Sequence, residues 1–158
     1  MKKNLAIVVF VLLFAGLGYA REFFFVNLNN IMYMKYYSST STMPVPAVMH
    51  VFESASYSTL YYSKYIYTLL WALLFMMLSY FALKRFTGKP LLCRLLIYTY
   101  VVMLIVAGLA MAYGLIVSQR LQNDEYTLSR WLLGIAQSPI ICLILLASEK
   151  LYNKSFQP

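Results

Sequence analysis

Leu95–Val117, LLIYTYVVMLIVAGLAMAYGLIV, runs through 23 residues without a charged side chain. That length matches the ~20 residues an α-helix needs to cross a hydrocarbon core of ~30 Å. Three more stretches have the same character: Leu5–Ala20, Tyr65–Leu83 and Trp131–Ser148. The second is bracketed by Lys64 and Lys84, so its charges stand at the edges. Within lipid every backbone amide and carbonyl must find its partner inside the protein, and a helix achieves this within one segment. The expected fold is therefore an all-α membrane protein. It is a single integral domain, 1–158, with four transmembrane helices in a bundle and an external aromatic-rich segment, 21–64, between the first two. With 62% hydrophobic and 11% charged residues, the 158-residue chain is excluded from ordinary soluble domains.

Basic residues give the expected orientation. Lys2, Lys3, Lys84, Arg85, Lys89, Arg94, Lys150 and Lys154 fall on one side of such a bundle with a single acid, Glu149. The other side has Arg21, Lys35, Lys64, Arg120 and Arg130 against Glu22, Glu53, Asp124 and Glu125. The positive-inside rule then predicts cytoplasmic N- and C-termini and a cytoplasmic loop around Gly88. The net charge of +8 serves topology and attraction to anionic membrane lipid, and nucleic acid is not an expected partner.

The N-terminus, with Lys2-Lys3, an apolar run and Gly18-Tyr19-Ala20, also suits a signal peptide. An uncleaved anchor is the expectation, because cleavage would leave three spans and an external N-terminus. Beyond Ala20 the aromatic pattern of Phe23, Phe24, Phe25, Tyr33, Tyr36 and Tyr37 continues, interrupted by Asn27, Asn29 and Asn30. It predicts an interfacial helix or a frayed extension of the first span. Ser38–Thr42 and Met43-Pro44-Val45-Pro46 break the helix, a short helix over 47–56 follows, and Ser58 or Thr59 stands near the start of the second span. Gly88 suits a left-handed residue after the second helix, and Pro90 suits the first turn of the third. Asn123 or Asp124 is placed to cap the fourth.

Small residues four apart, Gly16 and Ala20, Gly108 and Ala112, Ala110 and Gly114, and Gly134 with Ser138, allow helix backbones to approach. They predict a packed centre made by the first, third and fourth spans. The second span, bulky nearly all round, is expected to face lipid or another protein.

Candidate chemistry is sparse. Gln137, Ser138 and Pro139 lie inside the fourth span, where polar groups need partners, and Arg130 stands seven residues earlier on the same face. Gln137 and Ser138 are expected to bond a neighbouring helix and offset the amide missing at Pro139. The sharper alternative is a substrate path or lateral partner site. Arg21 and Glu22, at the exit of the first span, share the depth of Arg120 and Arg130. This predicts a polar seam of Arg21, Glu22, Arg130, Gln137 and Ser138, including a Glu22–Arg130 ion pair. His50 and Glu53 could pair, but two potential ligands are too few for a zinc site. Cys93 and Cys142 sit at different depths, and neither a disulfide, a metal nor any other cofactor is expected. Phosphate loops, nucleophile elbows and His-Glu-x-x-His are missing from the sequence.

Ala20-Arg21-Glu22-Phe23-Phe24-Phe25 and Arg130-Trp131-Leu132-Leu133, with Gln137 and Pro139 beyond, resemble the first and last spans of small membrane proteins associated with the exosortase F system. An aromatic-Asp-Pro element of that family is replaced here by Val26-Asn27-Leu28-Asn29. The expected function is that of a non-enzymatic accessory or assembly subunit of a cell-envelope complex in the bacterial inner (plasma) membrane. Its expected partner is another membrane protein or a second copy of the chain. The alternatives are a small transporter or intramembrane enzyme using a polar path along the fourth helix, and an external ligand-binding or sensor module in 21–64.

Overall fold

The computed structural model describes residues 3–37, 44–117 and 124–155, with side chains at 4–37, 44–113 and 128–152. Its elements are α1 (Lys3–Tyr37), a 3-10 helix (Ala47–Phe52), α2 (Tyr57–Phe86), α3 (Pro90–Val117), α4 (Asp124–Ala136) and α5 (Ile140–Ser155). Helices α1, α2 and α3 are each long and apolar enough to cross a membrane. Helices α4 and α5 pass that test only together, bent by 64° at the break between them. The expected continuous fourth span is thus replaced by two helices meeting at Gln137–Pro139. Proline removes an amide and its ring obstructs the preceding turn.

Helix α1 runs unbroken past Ala20 to Tyr37, about 50 Å at 1.5 Å per residue, well beyond a ~30 Å core. The Asn cluster does not end it. Asn27 Nδ2 donates back to the Phe23 carbonyl at 2.7 Å, satisfying itself within the helix. The outer parts of α1 and α2 and the 3-10 helix share a core of Leu28, Ile31, Met32, Met49 and Leu60. Phe24 packs at its rim against Tyr67 and Phe52, at 4.9 and 5.7 Å between ring centroids. The described parts of segment 21–64 therefore continue the bundle, built on extended helices. Ser56 caps α2 by accepting from the Thr59 amide at 3.2 Å, slightly earlier than the sequence suggested. At the α2–α3 hairpin Gly88 has φ +63° and Pro90 opens α3, as the turn chemistry requires. Residues 38–43, Gln119, Arg120 and Asn123 lie outside the described residues, as does the Asp124 side chain.

Helix α2 is the hub: it contacts α1, α3, α4 and α5. This reverses the expectation that it faces lipid. Its buried stripe, Ala72, Phe75, Ser79, Ala82 and Leu83, follows helical spacing. The small members at 72, 79 and 82 admit the neighbours between bulkier flanks. Around them pack Leu96 and Tyr100 of α3, Ala136 of α4 and Cys142 of α5.

Helices α3 and α4 do pack together, as expected of the third and fourth spans, but several small residues chosen from sequence point elsewhere. Gly16, Ala20, Gly108 and Ala112 are exposed. A methyl group at Gly16, Gly108 or Gly134 meets no atom within 4 Å, so none of these stands at a close helix crossing. Spacing alone gives a face but not its direction. Gly114 lies beyond the described side chains.

Two contacts fix which ends meet. Phe10 packs on Phe86 at 5.5 Å, and Lys89 pairs with Glu149 at 3.2 Å. The start of α1, the α2–α3 hairpin and the end of α5 thus share one end of the bundle. Arg21, Lys64 and Arg130 line one cavity towards the other end.

Candidate ligand-binding cavity at the helix break

Pro139 cannot donate to the carbonyl one turn back, and Ser138 takes over. Its amide and Oγ both reach the Ile135 carbonyl, at 3.1 and 2.7 Å. Ser138 Oγ also accepts from the Ile140 amide at 3.4 Å. The break is therefore closed by local bonds, and Ser138 serves the backbone without lining the cavity.

Gln137, just before the break, is buried at 4% exposure. Its Oε1 accepts from Arg21 Nε at 2.8 Å, and its Nε2 donates to the Thr68 carbonyl at 2.6 Å. The amide orientation follows from chemistry: Arg Nε can only donate and a carbonyl can only accept. One side chain thus ties α1, α2 and α4 together at the bend. A charged donor makes the Arg21 bond the stronger type, about 1.5–3 kcal/mol in soluble proteins.

Above this tie lies a cavity of about 640 Å³ between α1, α2, α3 and α4, within the ~300–1,000 Å³ typical of small-molecule sites. Among the described residues, three cations line it, Arg21, Lys64 and Arg130, with a single carboxylate, Glu22. Arg21 sits 6.0 Å over the Phe25 ring and 3.9 Å from Glu22, whose side chain is 68% exposed. Such an exposed pair contributes little, ~0–1 kcal/mol. The expected Glu22–Arg130 pair is not formed; Glu22 lies against its chain neighbour instead. Lys64 Nζ donates to neutral Asn29 Oδ1 at 2.9 Å, and Arg130 lines the same cavity. Among the described residues, neither Lys64 nor Arg130 forms an ion pair with a carboxylate.

Tyr57, Tyr61 and Tyr65 also line the cavity, from one face of α2. Their rings contact in sequence, and Tyr65 donates its hydroxyl proton to the Tyr61 hydroxyl at 3.0 Å. Phe25, Val26, Met32, Met111 and Leu133 supply an apolar wall. Arg21, Glu22, Arg130 and Gln137 thus come together, joined by Lys64, Thr68 and the tyrosines. In the sequence, the eight tyrosines from Tyr33 to Tyr67 are grounds for an external ligand-binding or sensor module, without a place on one helix face. The four-residue spacing of Tyr57, Tyr61 and Tyr65, with Lys64 and Thr68 also four apart, was the signal for a polar face on α2.

His50 Nδ1 lies 2.9 Å from Glu53 Oε2 on the exposed 3-10 segment, apart from this lining. Among the described residues, no three His, Cys, Asp or Glu side chains gather as metal ligands. A smaller cavity of about 230 Å³ at the hairpin end is lined by Tyr80, Lys84, Lys89, Cys93 and Arg94, among others. Comparison with protein-family models, characterised proteins and solved structures finds no match for this chain.

Proposed function

We propose that this chain is a four-span protein of the bacterial inner membrane, with both termini in the cytoplasm, and that it serves as a non-enzymatic ligand-binding subunit of a cell-envelope complex. The observation that carries the binding role is the Gln137 tie. It draws a charged side chain from α1 to a helix break beneath a cavity, and irregular backbone at membrane depth is tolerated where it lines such a space or is buried in protein. Four crossings are supported by the course of the bent pair, from Arg130 beside the cavity to Glu149 beside Lys89. The excess of Lys and Arg at the ends and hairpin supports the orientation. The likeness of the Arg21 and Arg130 motifs to exosortase F-associated proteins supports the envelope setting.

A binding site is favoured over a path through the membrane. Beyond Gln137, towards the hairpin, Cys142, Leu96 and Tyr100 fill the bundle centre. The external-module alternative is less favoured because the described parts of 21–64 pack as an extension of α1 and α2. A second reading concerns assembly. The outward-facing small residues, Gly16 with Ala20 and Gly108 with Ala112, leave room for close approach by a partner helix or a second copy.

Native mass spectrometry of the protein, extracted from its own membrane in mild detergent, tests the binding role. The wild type should carry a small-molecule adduct that Gly134→Phe lacks. Gly134 lines the cavity and an added Cβ meets open space, so the ring can occupy the site without forcing helices apart. Identical spectra for the two proteins would refute the reading.

A further inference from the structure

We propose that the cavity holds the phosphate-bearing head of an anionic amphiphile, with Lys64 and Arg130 as its charge partners. This rests on the binding role above and names the ligand class. Three features of the lining point to it.

Charge comes first. Among the described residues, three cations face one carboxylate; Glu22 is largely in solvent and already lies against Arg21. Arg21 is committed to Gln137, whereas among the described residues Lys64 donates to a neutral amide. Lys64 and Arg130 line the same space, and an anion between them is attracted by both. An Arg fork and a Lys point charge are a common pairing for phosphate oxygens.

Donors come second. Tyr57 and Tyr61 stand on the same side of the cavity as Lys64, and phenol hydroxyls supply neutral hydrogen bonds to a phosphate or to a polyol attached to it.

The third feature is amphipathy. Phe25, Val26, Met111 and Leu133 line the same space as the charges. A small, fully hydrated anion has no use for that wall, but an acyl or isoprenoid tail does. Aromatic and basic residues gathered at one level of a spanning bundle also match the headgroup layer, where lipid phosphates are concentrated.

The test uses the purified full-length chain and defined probes, read by native mass spectrometry and by thermal unfolding in detergent. Phosphatidylglycerol should bind and raise the unfolding temperature; diacylglycerol, with the same tails and no phosphate, should do neither. The double substitution Lys64→Gln with Arg130→Gln should weaken phosphatidylglycerol binding by about tenfold or more, since each basic group near a lipid phosphate contributes appreciably. The matching change at the other end, Lys84→Gln with Arg94→Gln, removes the same charge and should leave that binding intact. Gly134→Phe should abolish it. Inorganic phosphate separates the sources. If it stabilises the protein as well as phosphatidylglycerol does, and through Lys64 and Arg130, the phosphate site stands but its ligand is a free phosphate, and the amphiphile is refuted. Equal losses in the two double variants, or diacylglycerol binding as well as phosphatidylglycerol, overturn the proposal by reducing it to general charge or general lipid attraction. An adduct lost in Gly134→Phe but indifferent to Lys64 and Arg130 overturns the ligand class and leaves the binding site standing. Absence of any cavity-dependent adduct overturns both. Lys64 and Arg130 are partly or fully solvent-exposed, so their substitution keeps the test informative should Gly134→Phe fold poorly.

Discussion

Removing the Gln137 amide cuts two links at once, and a double-mutant cycle with Arg21 separates them. Gln137→Leu keeps side-chain bulk while deleting the acceptor for Arg21 Nε and the donor to the Thr68 carbonyl. Interhelical hydrogen bonds in membrane proteins average ~0.6 kcal/mol and reach ~1.7. The Arg21 bond has a charged donor and belongs near the upper figure. The Thr68 carbonyl lies within α2 and retains its helical partner, so its loss belongs near the mean. The single variant should therefore lose about 2 kcal/mol. Full burial of an orphaned charge would cost more, but the Arg21 side chain is 30% exposed and regains water through the cavity. Arg21→Met keeps the apolar stem and removes only the guanidinium. Reversible unfolding in mixed detergent micelles should give a coupling of about 1–1.5 kcal/mol between the two substitutions. Additivity within ~0.3 kcal/mol would mean that Arg21 and Gln137 do not hold one another, and the tie would be refuted.

Four further outcomes are expected. Ala136→Leu, at a position with no exposed surface, should destabilise the protein by ~1–3 kcal/mol, while Gly108→Leu should leave monomer stability almost unchanged; scanning fluorimetry that ranks them the other way would restore Gly108 to the packed centre. The Tyr100 and Ser79 hydroxyls are both buried, and neither meets hydrogen-bond geometry with a partner among the described residues, so Tyr100→Phe should be neutral or stabilising, and a loss above ~1 kcal/mol would mean the hydroxyl is bonded. Gly88→Ala should cost ~1 kcal/mol through its positive φ, and no loss would place the hairpin in another conformation. With Cys93 and Cys142 replaced by Ala, an impermeant thiol reagent on intact cells should label Ser41→Cys but not Lys89→Cys, and the reverse pattern would invert the orientation.

Some of this protein was determined by the sequence alone. Length and apolarity at Leu95–Val117 are local properties, as are the left-handed residue at Gly88 and the proline opening α3, because they depend on solvent and backbone geometry rather than on which helix lies alongside. Residues that must avoid lipid were readable for the same reason: Gln137 inside an apolar run needs partners wherever the other helices go. The partners themselves were not readable. Gln137 meets Arg21 across 116 positions and the Thr68 carbonyl across 69, and no local pattern encodes such pairings. Direction of facing was equally hidden. Gly16 with Ala20 and Gly108 with Ala112 have the spacing of helix contacts, yet they point outward, while Ala72, Ser79 and Ala82 of the bulky second span form the seam. Lipid tails and side chains are similarly apolar, so the hydrophobic pattern that separates inside from outside in a soluble protein does not distinguish them here. Only the packed tertiary structure decided which small residues meet another helix, and in doing so placed three cations around one cavity.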